Sequence, residues 1–208
     1  MKKIFLVLAF LPLAFTAKAD GNSREILDRM AANMAEYENY RIDFTASSKG
    51  MITSVGGTYV VSGDKYHIKI QRQEQFSDGK TRWEINPSDK EVIVDHMDLD
   101  NRNILNNPTR AFKFAPDEFE STYLGVETVN NIPCHAIQLE SLGRMYGIGI
   151  VKLHIGVAVE LPVQVAYDFE GERLTVVIDK FTGLPSAEQS MFVFDESKYK
   201  GYEVIDFR

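Results

Sequence analysis

Four histidines, one cysteine and a pair of aspartates are the residues whose chemistry would matter first in this sequence. His67, His96, His135 and His154 stand far apart, and none has the spacing to another histidine or to the cysteine that holds zinc. His67 and His154 fall on the polar phases of strand-like runs, where exposed side chains are expected. Asp95 and Asp98 flank His96 and Met97, and two acids can do general acid–base work. Beside an irregular segment they read instead as solvated surface. Cys134 is the sole thiol, has no motif around it, and reads as a small buried apolar residue. There is no Gly-x-Ser-x-Gly elbow, and Gly56-Gly57 precedes a strand, not a helix as in a phosphate cradle. No catalytic residue, metal or cofactor is expected, and the sequence does not read as an enzyme.

Aromatic side chains are the surplus: thirteen Phe, nine Tyr and one Trp. Tyr59, Tyr66, Phe76 and Trp83 fall in consecutive hairpins, and Trp83 shares a strand phase with Ile85. One reading is the core of a curled sheet. The other is an inner face that the protein leaves for an apolar guest.

The elements that position these residues follow from periodicity. Asn22 with Glu25 three residues on resembles a capping box. Ile26, Leu27, Met30, Met34 and Tyr37 then recur at helical spacing on one face. After Asn39 the period becomes two, as in Ile42-x-Phe44-x-Ala46, Tyr66-x-Ile68-x-Ile70, Val151-x-Leu153-x-Ile155 and Val163-x-Val165-x-Tyr167. Ser62-Gly63-Asp64, Ser77-Asp78-Gly79-Lys80, Asn86-Pro87-Ser88-Asp89 and Phe169-Glu170-Gly171-Glu172 supply the hairpin turns. About ten or eleven strands in an antiparallel meander are predicted, and a sheet that large must curl to hide its apolar face. From about Asp98 to Ala115 the alternation stops, although Leu99, Ile104, Leu105, Phe112 and Phe114 are apolar. Short helical turns broken at Pro108 and lying over the sheet are expected there.

The N-terminus sets the compartment. Lys2 and Lys3 precede the apolar run Ile4–Phe15, and Ala17-Lys18-Ala19 has the small-x-small pattern of a cleavage site, so residues 1–19 read as a secretion signal. Its apolar core is too short to span a hydrocarbon layer of ~30 Å. Asp20, not a lipid-accepting cysteine, follows the cut. The short, lysine-started signal points to the bacterial periplasm. Cleavage leaves one domain, residues 20–208, and moves the net charge from −7 to −10 by removing Lys2, Lys3 and Lys18. A chain this acidic is a poor partner for nucleic acid or an anionic membrane surface, and a soluble monomer is expected.

Several runs resemble one family. Tyr59-Val60-Val61, Lys65-Tyr66-His67-Ile68 and Phe76-Ser77-Asp78-Gly79-Lys80-Thr81-Arg82-Trp83-Glu84-Ile85-Asn86-Pro87 are similar to the outer-membrane lipoprotein carrier (LolA) family. The ending Tyr199-Lys200-Gly201-Tyr202-Glu203-Val204-Ile205-Asp206-Phe207-Arg208 resembles its Bacteroidetes-type branch. The resemblance implies an unclosed β-barrel of about eleven strands, lidded by short helices over an apolar cavity. It also implies a carrier that takes the acyl chains of lipoproteins from an inner-membrane transporter and hands them to an outer-membrane receptor. Tyr66 and Ile68 match cavity-wall positions, Trp83 matches the family's tryptophan, and Ile104, Leu105, Phe112 and Phe114 fall where the lid should be. With Tyr59, Phe76 and Ile85 these residues make up the expected lipid-binding cavity. Proteobacterial members latch the lid with an arginine in an Arg-Pro pair before the strand of Tyr66. Ser62-Gly63 stands there in this sequence, and Ser62 lacks a guanidinium's forked donors. Rival readings are an envelope sensor of the same fold that binds a lipidated or misfolded signal, and a hydrolase of envelope lipids or glycans.

Overall fold

The computed structural model describes residues 20–48, 53–98, 106–110, 112–143, 148–169 and 172–208. The signal segment, Leu99, Ile104 and Leu105, and the Glu170-Gly171 turn lie outside the described residues. A helix α1 (Asp20–Ala35) opens the chain, and its face Ile26, Leu27 and Met30 is buried as its spacing requires. It begins two residues before Asn22, so Asn22 lies within the helix and the expected capping box does not form.

Among the described residues twelve strands then form one sheet: β1 (Asn39–Ser48), β2 (Val55–Ser62), β3 (Lys65–Ile70), β4 (Gln73–Ser77), β5 (Thr81–Asn86), β6 (Glu91–His96), β7 (Phe119–Val129), β8 (Ile132–Ser141), β9 (Ile148–Gly156), β10 (Pro162–Phe169), β11 (Glu172–Gly183) and β12 (Glu203–Asp206). Their order is β12-β6-β5-β4-β3-β2-β1-β11-β10-β9-β8-β7. Two meanders are thus joined by the β1–β11 pair, with β12 and β7 as separate edges, so the sheet is unclosed. Every pair is antiparallel except the last, β12 on β6. That strand was not expected. It arrives parallel because residues 184–202 first cross the outer face of β4–β6 through two 3-10 turns, Gln189–Phe192 and Glu196–Tyr199, and a parallel neighbour needs such a crossover. Irregularities in register at Asp43/Phe44 and Tyr123/Gly125, the latter with Gly125 at φ 112°, break the flat ladder as bulges do.

Alternation divides the side chains between two clusters. The inner cluster joins Ile26, Leu27 and Met30 of α1 to Ile42 and Phe44 of β1, Tyr59 of β2, Tyr66 and Ile68 of β3, and the inward residues of β8–β11. Phe112 and Phe114 of the connection between β6 and β7 complete it from above. The described part of that connection is a run of turns, with Arg110 N–H donating to Asn107 O at 3.2 Å and Lys113 N–H to Arg110 O at 3.1 Å. Gly57 seats the Phe44 ring, since a Cβ there would lie 2.5 Å from Phe44 Cζ. The outer cluster is smaller: Phe76, Ile85, Val92 and Val94, with Trp83, Phe194, Tyr199 and Tyr202 packed on it. No helix among the described residues is long and apolar enough to cross a membrane.

Candidate functional site

The residues expected to line one cavity lie on two faces of the sheet. Hairpin register decides this. Ile70 pairs with Gln73 across a two-residue turn, which sets Ile68 opposite Gln75, His67 opposite Phe76 and Tyr66 opposite Ser77. Phe76 therefore shares the face of His67, on which it packs at 5.8 Å, and not the face of Tyr66. The next hairpin sets Phe76 opposite Trp83 and Glu74 opposite Ile85. Phe76, Trp83 and Ile85 thus point outward, a correction to their expected place in the cavity. Tyr59, Tyr66, Ile68, Phe112 and Phe114 share the inner cluster. Inward positions of β4 and β5 are polar: Gln75, Ser77, Arg82 and Glu84. The apolar inner face therefore ends at β3.

Between this face and its cover lies a cavity of about 260 Å³. Ala31, Met34 and Ala35 of α1 form one wall, Tyr40 and Val61 another, and Pro108, Thr109 and Phe112 the cover. Its rim is the β2–β3 turn, where Gly63 takes φ 59°. Ligand pockets usually occupy ~300–1,000 Å³, so this cavity is small and the interior is closed down.

The cover is held by a few polar contacts. Tyr66 Oη donates to the main-chain oxygen of Asn106 at 3.0 Å. Gln75 Nε2 donates to Tyr66 Oη at 2.7 Å and to the same carbonyl at 2.9 Å, closing a triangle. Burial pushes the Tyr66 phenol up to about 12, so it stays a donor at neutral pH. From α1, Arg24 Nη1 donates to Phe114 O at 2.7 Å. Within the cover, Asn107 Nδ2 donates to Asp98 O at 2.9 Å and Thr109 Oγ1 to Asn107 Oδ1 at 2.7 Å. Periodicity could not find Gln75 or Asn106: one is a polar residue on an inward phase, the other contributes only its backbone.

On the outer face the histidines are not exposed as expected. His154 is 3% exposed, with Nε2 2.9 Å from Glu127 Oε2 and Gln164 Nε2 3.3 Å from its Nδ1. Lys152 Nζ also holds Glu127, at 2.8 and 2.9 Å. Hydrogen bonds from His154 and then Lys152 hold the Glu127 carboxyl below its ordinary range. His67 Nε2 lies 3.1 Å from Glu74 Oε2. Partial burial would raise the Glu74 carboxyl, but bonds from Lys69 and His67 bring it net below its ordinary value. Each histidine sits under a carboxylate, His67 under Glu74 of the adjacent β4 and His154 under Glu127 of β7, two strands away. Cys134 is buried as expected, and burial pushes its thiol up. Among the described residues no three His, Cys, Asp or Glu side chains converge on a metal position.

No family model and no curated protein matches the chain. Solved structures do. An uncharacterized conserved protein from Thermus thermophilus aligns at 11% identity over 89% of this chain and 99% of its own, with TM-score 0.61. MucB aligns at 13% identity over 84% of this chain but only 63% of MucB, with TM-score 0.51. A LolA superfamily protein from Nitrosomonas europaea aligns more loosely, at 11% identity over 84% of this chain and 98% of its own, TM-score 0.45. The first two likenesses concern the fold. An unclosed, curled sheet with a helix and a covering segment on its apolar face is the architecture that the sequence resemblance implied, and it is the fold this chain shares with the first two structures.

Proposed function

We propose that the protein is a soluble periplasmic carrier, of the Bacteroidetes-type branch, that holds the acyl chains of lipoproteins or lipids against its inner face. It would receive them from an inner-membrane transporter and deliver them to an outer-membrane receptor, without covalent chemistry and with the signal removed after Ala19. The observation that carries this reading is the apolar inner face closed by a cover that a few hydrogen bonds hold down. Magnitudes favour exchange of cover for cargo. The two bonds that the Asn106 carbonyl accepts, from Tyr66 and Gln75, contribute roughly 1 kcal/mol each. Each methylene taken from water contributes ~0.8 kcal/mol, so about three methylenes match them. An acyl chain has several times that number, and a carrier is needed because such a chain does not cross water unaccompanied.

Titration with a pyrene-labelled, diacylglycerol-modified peptide tests the reading. Saturable one-to-one binding that Met34→Glu abolishes is expected, since Met34 is a half-buried wall residue whose substitution leaves the core in place. Absence of saturable binding by the wild-type protein would refute it. Preferential capture of an unacylated peptide would favour the sensor reading instead.

A further inference from the structure

Tyr59 occupies the middle of β2, opposite Ile42 of β1 and Ile68 of β3, and is fully buried. Its ring packs 5.8 Å from Phe44 and edge-on to Tyr40 at 6.4 Å. Among the described residues its hydroxyl has no hydrogen-bond partner. A hydroxyl stripped of water and left unbonded is a net loss to the fold. Phenylalanine would fill the same volume without it. Tyr40 lines the cavity wall, so the unbonded hydroxyl belongs to the next ring inward from the cavity. Burial first, and the nearby Tyr40 and Tyr167 phenols second, hold the Tyr59 phenol well above its ordinary value. It is therefore a proton donor at any physiological pH.

A single donor among Ile42, Phe44 and Ile68 suits a ligand that is nearly all hydrocarbon and carries one neutral acceptor. A free carboxylate would bring its full charge into apolar surroundings. An alkane or a dialkyl ether would leave the hydroxyl with no partner or a weak one. A carboxylic ester or amide carbonyl satisfies it. We propose that Tyr59 recognises the carbonyl at the head of an acyl chain once the cover lifts, so that the site selects acyl esters and amides over hydrocarbon of the same length. This inference rests on the carrier reading and specifies its ligand chemistry.

The test is a competition titration of dipalmitoylglycerol and its dihexadecyl ether analogue against a fluorescent apolar probe, using wild-type protein and Tyr59→Phe. Wild type should bind the ester about five- to tenfold more tightly than the ether, as one added hydrogen bond allows. Tyr59→Phe should bind both at the wild-type ether level, and unliganded should melt no lower than wild type. Equal binding of ester and ether by wild type, or an ester preference retained in Tyr59→Phe, overturns the inference while leaving the carrier reading intact. A lowered melting temperature of the unliganded variant also overturns it, because the hydroxyl would then be bonded in the empty protein. Failure of wild type to bind either lipid overturns both.

Discussion

The phenolic oxygen of Tyr66 lies 3.0 Å from the main-chain oxygen of Asn106, tying the third strand of the sheet to the segment that covers it. Ser62, where the family resemblance expects a latching arginine, ends β2 at the rim. The grip on the cover lies in β3 and β4, where Tyr66 and Gln75 each donate one hydrogen to the Asn106 carbonyl and Gln75 donates its other to Tyr66 Oη.

Tyr66→Phe removes that hydroxyl and keeps the ring. One lost bond of about 1 kcal/mol corresponds to roughly fivefold in the closed–open equilibrium. Amide exchange within residues 106–114 should quicken by about that factor, and an acyl probe should bind correspondingly tighter because less closure opposes it. Unchanged exchange would mean that the triangle does not hold the cover.

Trp83 stacks between Phe76 at 5.6 Å and Phe194 at 6.3 Å, and Phe194 stacks on Tyr199 at 5.4 Å. These rings pin the C-terminal crossover to the outer face, and each pair is worth about 0.5–1.5 kcal/mol beyond its burial. Phe194→Ala should lower the melting temperature and open residues 184–208 to limited proteolysis, with acyl-probe affinity unchanged. Trp83→Glu should likewise spare binding, the reverse of what a cavity-lining tryptophan would do.

Acid should weaken the outer face through Glu127. Its folded carboxyl lies below the ordinary value because His154 and Lys152 donate to it. Its stabilisation is therefore complete above the unfolded carboxylate pKa and is lost as pH falls through the folded one. Melting temperature followed from pH 7 to pH 3 should fall in the wild type, and Glu127→Gln should remove part of that fall while starting lower at pH 7. A parallel pair of curves would show that the cluster contributes nothing.

Strands with unlike faces were plain in the sequence because burial enforces period two: Ile42, Phe44 and Ala46 are buried as their alternation predicts, as are Val151, Leu153 and Ile155. Phe76, Trp83 and Ile85 misled because an apolar residue marks a buried face without saying which one. Here the crossover of residues 184–202 gives the sheet a second buried face, and nothing local to β4 or β5 announces it. The four-residue β12 is mostly exposed and shows no alternation to detect. Tyr66 and Ile68 were legible as inner-face residues. Their partners Gln75 and Asn106 were not, since polar latches carry no periodic signal.

Native mass spectrometry of the protein isolated from its own envelope tests the central claim most directly. Wild type and Trp83→Glu should carry acylated protein or lipid, and Met34→Glu should come away empty. Wild-type protein that is empty in every preparation, or Met34→Glu loaded to the same degree as wild type, would contradict the account.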